Sequence, residues 1–500
     1  MAYKRPGVYI NETLTPLAPS VDMSGSSTAA FVGTTKQGGP ILPTFVTSWS
    51  QYVTKFGGFG DGSDLLPYAV YEYFNNGGSG CLVVRGVNSN AVSASKTFKD
   101  STPVTPADTL KVTAIAPGVW GNSILVDIVA SAGRFDLILA RGSTVERFND
   151  LSLDPADSRS AVNVVNSPVS GSSLVTVTYM GPAVYSTVNA PTVQTAAALI
   201  SGSEGTGTPD LAVAAQTLES VITPLDVNLP GVYSSTIINP LVAWAETQGN
   251  VFLVVDGVQG ADADTAATNA AAQAALLTGG SALTASSTLS LYAPWINTDD
   301  PSTTVPGAQR YLPPGGFVLG QYARSDAVKG VEKAPAGTTT TLRGALAPKF
   351  RYATADLDVL NPIGVNVIRT TPGAGLCLWG ARTTKQSMPD RYISVRRTLI
   401  YLKYALTELS RPALFENNDE DLWDYLTQVI SQFLQTQWQV GVLKGSSPAA
   451  AFYIKCDAEN NPPATADAGI VNIEIGLALS SPAEYIVINI GQSLLGSQDV

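Results

Sequence analysis

Two short segments, one near each end of this 500-residue chain, constrain its fold most. The first reads PGVYINE, residues 6–12, and the second PAEYIVINIGQ, residues 482–492. Val8 and Ile10 alternate with Tyr9. Ile486, Ile488 and Ile490 alternate with Val487 and Asn489, and Tyr485 leads the run. This is the period-two pattern of a β-strand. Neither segment has an obvious hairpin partner beside it. A strand at a chain end carries unpaired N–H and C=O groups and must join a sheet, which can belong to another molecule. Val8, Tyr9, Ile10, Tyr485, Ile486, Val487, Ile488 and Ile490 are therefore expected to be linking residues between subunits.

Between these ends the chain is too long for a single core, so three or four domains are expected. Charged residues make up only 14% of it and the net charge is −11, which gives a large neutral polar surface of the kind buried in an assembly or found on secreted β proteins. No run of 18 apolar residues provides a transmembrane helix. The opening MAYKRPGVYI lacks the apolar core of a signal peptide. Cys81, Cys377 and Cys456 are few, odd in number and far apart, so free buried thiols are expected.

Histidine is absent. A Ser–His–Asp or Cys–His site, a histidine base and the usual zinc or iron sites are thereby excluded. The acidic balance and the lack of a basic run argue against nucleic-acid binding.

Along the chain, residues 27–34 (STAAFVGT) read as a buried strand. Residues 64–76 read as a helix with Asp64 as its cap and Ala69, Val70, Tyr73 and Phe74 inward, and residues 81–87 as a second buried strand. Strand, helix, strand predicts an α/β unit. From 96 to 209 the pattern changes to short, turn-separated strands such as FDLILAR (135–141) and SLVTVTY (173–179), which read as an inserted β-rich domain. The α/β rhythm returns with NVFLVVDG (250–257), an alanine-rich helix over 263–277 and LSLYAPW (289–295). Near the end, helices are predicted over 392–409 and 419–440, and strands over 450–457 and 469–480. Asp419, Glu420 and Asp421 suit the positive end of the second helix, and Leu422, Leu426, Val429, Ile430 and Phe433 fall on one face of it.

Several pieces in order carry a resemblance: PGVYINE (6–12), AAFVGTTKQGGP (29–40), YFNNGGSGCLVVRG (73–86), APGVWGNSILV (116–126), ERFNDLSLDPADSR (146–159), YAPWINTDDP (292–301), YLPPGGFVLGQYARSDAVKGVEKAPAG (311–337), LWGARTT (378–384), YISVRR (392–397) and PAEYIVINI (482–490). With them the chain resembles the tail sheath proteins of contractile bacteriophages and related contractile injection systems. One departure is Tyr73-Phe74 where the family pattern carries two phenylalanines. The resemblance implies a multidomain, mixed α/β fold: an N-terminal linking arm (1–20), a discontinuous subtilisin-like α/β region (21–95 and 210–370), an outer β-domain (96–209), an inner C-terminal α/β domain (371–484) and a C-terminal arm (485–500). It implies a structural role without catalysis or cofactor. The partners would be copies of itself in hexameric rings, the tail tube, and baseplate and terminator proteins, with no nucleic acid and no membrane insertion. The location would be the virion tail, assembled in the host bacterial cytoplasm. The subtilisin likeness concerns fold alone, since the protease's histidine is missing.

Other features have plainer readings. PPGG (313–316) and Gly77-Gly78 lack the spacing of a phosphate loop and read as turns. Asp61 with Asp64, Asp299-Asp300 and Asp419-Glu420-Asp421 lack the alternating oxygens of a calcium loop and read as caps or solvated faces. Tyr322, Arg324 and Asp326 read as a structural ion-pair site at a strand-to-loop transition. Arg391, Arg396, Arg397, Lys403 and Arg411 are the densest basic set. That set is either a solvated face or a face toward an acidic partner. The resemblance implies the second, with Arg396, Arg397 and Lys403 facing the tube.

Overall fold

The computed structural model describes residues 27–37, 42–102, 104–131, 134–142, 144–167, 169–181 and 190–484. They divide into two compact units, residues 27–397 and 398–484.

In the first unit, β1 (Thr28–Gly33), β2 (Thr44–Val46) and β3 (Cys81–Arg85) begin a sheet, with α1 (Trp49–Phe56) and α2 (Leu66–Asn75) before β3. The chain leaves it for β4 (Ser95–Lys99), β5 (Asp108–Ala114), β6 (Leu125–Ser131), β7 (Arg134–Arg141), β8 (Thr144–Leu151), the short α3 (Ala161–Val165), β9 (Val175–Tyr179) and β10 (Gln194–Ala198). It returns through α4 (Leu211–Gln216), β11 (Leu225–Asn228), α5 (Ser235–Gln248), β12 (Val251–Asp256), α6 (Ala266–Thr278) and β13 (Leu289–Ala293). A small sheet of β14 (Ile296–Asp299), β15 (Gln309–Leu312) and β16 (Ala345–Pro348) follows, with α7 (Gly315–Lys329) inside it in sequence. Then come α8 (Thr354–Ile363), β17 (Val365–Thr371), β18 (Gly375–Leu378) and α9 (Ile393–Ser410), which starts in this unit and runs on into the second.

The main sheet has the order β18-β17-β13-β12-β11-β1-β3-β2. β1, β3, β11, β12, β13 and β17 are parallel, and β2 and β18 are antiparallel edges. Strand order reverses between β1 and β11, as in a doubly wound fold. Such strands are covered on both faces and so read as continuous apolar runs. Every residue of β12 (VFLVVD) and of β13 (LSLYA) is buried accordingly.

Two local expectations change. Leu65, not Asp64, occupies the cap position of α2, because Pro67 sits in its first turn. The Asp64 carboxylate instead accepts a hydrogen bond from the Thr34 hydroxyl. In PPGG the turn expectation holds for Pro314, at the cap of α7, whereas Gly315 and Gly316 open the helix, and QYARSD lies within α7 rather than at a strand edge. A Cβ on Gly316 would stand 2.4 Å from the carbonyl oxygen of Ala69 in α2. Glycine there lets α2 and α7 touch backbone to backbone, and that contact overrides glycine's weak helix propensity.

The inserted strands form two sheets, β4-β5-β9 and β10-β6-β7-β8, around a core of their own that includes Phe98, Val112, Ile128 and Leu137. That core is distinct from the one beneath the main sheet. At its stem the buried Arg85, last residue of β3, donates to the Pro117 carbonyl at 2.6 Å and to Glu204 at 3.1 Å.

The second unit begins at residue 398 rather than 371. β17 and β18 pair with each other and extend the main sheet, which keeps residues 371–397 with the first unit. After α9, the second unit contains α10 (Glu420–Gln439), α11 (Pro448–Ala451), β19 (Phe452–Lys455), α12 (Pro463–Asp467) and β20 (Glu474–Leu477). Asp419 caps α10 by accepting from the Leu422 N–H, and Leu422, Leu426, Val429 and Ile430 face inward, with Phe433 half-buried. All three cysteines are free and buried.

Candidate assembly surface

The predicted basic face lies on α9, and its members meet different surroundings. Arg397 is only 3% exposed. Its Nη2 donates to Asp226 Oδ2 at 2.7 Å, to Asp326 Oδ2 at 2.6 Å and to Ser27 Oγ at 2.9 Å. Nε adds a bond to Asp226 Oδ1 at 3.2 Å, and Nη1 one to Asp326 Oδ1 at 3.1 Å. The guanidinium also lies over the Tyr322 ring, 4.6 Å from its centroid, and the Tyr322 and Tyr292 hydroxyls are 2.8 Å apart. This is a planar fork engaging two carboxylates, which arginine does and lysine cannot. Arg397 is therefore corrected from a surface residue to the centre of a buried ion cluster.

Charge balance in the cluster follows from its burial. Desolvation alone would lower the Arg397 pKa, but Asp226 and Asp326 outweigh it and hold the group well above its ordinary value. Asp226 is raised by desolvation, against the pull of Arg397. A sequence signal for this site exists. Arg397 stands four residues from both Ile393 and Tyr401, which are buried, so it lies on the apolar stripe of its helix.

Arg396 is half-buried, and desolvation lowers its pKa while Asp390 and Glu246 pull the other way. Lys403 is exposed. Arg391 donates to the Gln386 carbonyl, and Arg411 pairs with Glu408 at 2.8 Å. Of the three residues predicted to face a tube, Arg396 and Lys403 keep solvent access.

At the carboxyl ends of the parallel strands, where doubly wound folds place ligands, Asp256 ends β12. It accepts from the Gly315 N–H at 2.6 Å, the Gly231 N–H at 2.9 Å and Asn228 Nδ2 at 3.3 Å. Burial pushes its pKa up to about 6. One oxygen joins β12 to the start of α7 and the other joins it to Asn228 at the end of β11 and to Gly231 beyond it, which is a structural use.

In the second unit, β19 and β20 form an antiparallel pair of strands. Beside them lies an apolar groove of about 380 Å³, lined by Leu406, Leu414, Ile430, Ile473 and Ile475 among others. The predicted arm strands, with Val8, Tyr9, Ile10, Tyr485, Ile486, Val487, Ile488 and Ile490, lie outside the described residues.

Residues 204–384 match the phage tail sheath protein central domain, and residues 386–493 match the phage tail sheath C-terminal domain, together more than half of the chain. The chain belongs to the phage tail sheath family. Among particular relatives, it is 29% identical over 185 residues to the tail sheath protein of Vibrio phage KVP40. That alignment takes in 36% of this chain and 26% of the relative, so the chain spans about a quarter of that protein's length. Its fold is similar to a chain of the anti-feeding prophage baseplate, with a TM-score of 0.59 and 21% identity over 99% of this chain and 100% of the other. It is also similar to the sheath of an extracellular contractile injection system in its contracted state (TM-score 0.55, 21% identity, 99% of each chain). A sheath tail protein of Desulfitobacterium hafniense matches with a TM-score of 0.53 at 14% identity, over 90% of this chain and 94% of that one.

Proposed function

We propose that this chain is the structural subunit of a contractile tail sheath. Many copies polymerise as a helix around a rigid tail tube, and the polymer contracts to drive the tube through the host cell envelope. The observation that carries the reading is the β19–β20 pair with its apolar groove. A two-stranded sheet is marginal by itself and gains from added strands. The alternating segments 6–12 and 482–490 of neighbouring copies are the strands of the right pattern.

Magnitudes suit controlled assembly. An arm of about eight residues gains roughly four to six backbone hydrogen bonds worth about 1 kcal/mol each. Burying two apolar side chains adds roughly 3–6 kcal/mol. Ordering the arm costs about 1–2 kcal/mol per residue. One arm is nearly neutral, so free subunits stay separate and a template with both arms engaged is stable. Contraction then needs a second lattice arrangement burying more inter-subunit surface, with the arms as hinges. In this reading Arg396 and Lys403 face the tube, baseplate and terminator proteins cap the polymer, and no residue is catalytic. A virion tail is the primary location.

A second reading is favoured by the full-length fold similarity to injection-system chains: the same sheath could serve a phage-derived bacteriocin or an extracellular injection machine. Neighbouring capsid and terminase genes distinguish the two. The test of the shared mechanism is deletion of residues 1–14. The product should remain folded by circular dichroism yet form no sheath in negative-stain microscopy. Loss of folding would show that the arm pairs within its own subunit.

A further inference from the structure

Arg351 and Arg369 line a cleft of about 240 Å³ in the first unit, beside the start of α8. Phe350, Leu357 and Ile368 give it an apolar lining, and Thr354 contributes a hydroxyl. Neither guanidinium is in an ion pair among the described residues. Arg351 is exposed, and Arg369 is half-buried with its guanidinium 5.3 Å from the Trp379 ring centroid. On α8, Asp356 is engaged with the Ala353 N–H at 2.8 Å, and Asp358 points to solvent without an ion pair among the described residues. The residues lining the cleft include no carboxylate to neutralise the two arginines.

The second unit carries the complement. In the loop between α9 and α10, Phe415 is fully exposed and holds a left-handed backbone, φ 72°. Leu414 before it is 64% exposed. Glu416, Asp419, Glu420 and Asp421 follow, all exposed and none ion-paired among the described residues. A bulky residue rarely takes this backbone, and such strain concentrates where a contact uses it.

We propose that the Phe415 loop of one copy docks in the Arg351–Arg369 cleft of a second copy. The ring fills the apolar part of the cleft while Glu416 and the acidic start of α10 meet the two guanidiniums. A cleft this small accepts a single large side chain rather than a folded ligand. An aromatic anchor rimmed by charge pairs is the usual make-up of an energetic centre at an interface. The occupant is a second copy because knob and cleft have opposite charge and belong to different units of the same chain, so that every copy carries both. Such a head-to-tail contact closes into a ring or propagates into an open helix, according to the rotation it imposes. The inference thus rests on the sheath reading.

Disulfide trapping on the full chain tests it. An Asn417→Cys copy, which keeps the Phe415 ring, and a Thr354→Cys copy, differently tagged, are mixed under mild oxidation; the natural cysteines are buried. Mixed-tag dimers should exceed by at least tenfold those formed with a Val169→Cys control, a position 94% exposed in the inserted domain. Adding Arg351→Glu/Arg369→Glu to the Thr354→Cys copy should cut the yield at least tenfold. Adding Glu416→Arg/Glu420→Arg to the opposite copy should restore it. Equal yields in all mixtures would overturn the proposal, as would cross-linking within one doubly substituted chain at high dilution. Polymerisation of the wild-type chain together with no cross-link between the two cysteine copies would defeat this contact alone, whereas a wild-type chain that never polymerises would defeat the sheath reading.

Discussion

Replacing Arg397 by methionine removes the charge of the buried cluster while keeping an unbranched side chain of comparable reach. Asp226 and Asp326, with side chains 5% and 8% exposed, then both lose the guanidinium they share. Removing one partner of a buried pair costs about 3–5 kcal/mol. One guanidinium here serves two carboxylates, so the upper end, about 5 kcal/mol, is expected. That is a large share of a typical stability of roughly 5–15 kcal/mol. It corresponds to a fall of roughly 6 °C in the unfolding temperature of a unit this long. The defect should depend on pH. Desolvation already raises the Asp226 pKa against the pull of Arg397. Without Arg397 the rise is unopposed, and folding then favours protonation. The variant should therefore regain stability as pH falls from 8 toward 5 and lose it as pH rises. Differential scanning calorimetry across that range is the assay. Arg397→Met/Asp226→Asn/Asp326→Asn should recover most of the loss. A single Arg397→Met variant that melts with wild type but fails to coat tubes would refute the buried-cluster argument and return Arg397 to the tube-facing set.

Glu72 is 2% exposed, and burial raises its pKa from 4.5 to about 7, against a hydrogen bond from Asn75. A carboxyl raised by folding adds stability at low pH that is lost as pH climbs from 4.5 toward 7. At pH 8, Glu72→Gln should therefore stabilise the chain by up to about 3 kcal/mol, with no gain at pH 4; urea midpoints at the two values check this. Gly316→Ala would put its Cβ 2.4 Å from the Ala69 carbonyl, so it should destabilise by about 1–3 kcal/mol despite alanine's better helix propensity, as read by thermal melting. Replacing residues 100–200 with a short Gly/Ser linker should leave the main sheet folded and much of the assembly intact, because the inserted sheets enclose their own core. An insoluble product would show that the two cores depend on each other.

Much of the architecture was legible because its signals are local. β12 and β13 are continuous apolar runs, α6 is rich in alanine, and α10 carries its cap, acidic first turn and apolar stripe within one stretch of sequence. The short alternating strands of the inserted sandwich were legible for the same reason. The helix α7 was not. Its glycines read as turns, and only the close approach of α2 makes them helical.

The candidate surface divides along the same line. The chain's own order of residues determined that histidine chemistry is excluded, that the main sheet alternates with helices, and that both ends carry strand patterns. The helix stripe marks Arg397 for burial, but tertiary structure alone decided its partners, which lie 171 and 71 residues away in Asp226 and Asp326, and 370 away in Ser27. It also decided that residues 371–397 stay with the main sheet, and that Arg351 and Arg369 line one cleft. Periodicity and capping are settled by neighbours within a few residues, and so are written in sequence. Ion pairing and interhelical contact depend on which distant segments the fold brings within a few ångströms, and no local pattern encodes that.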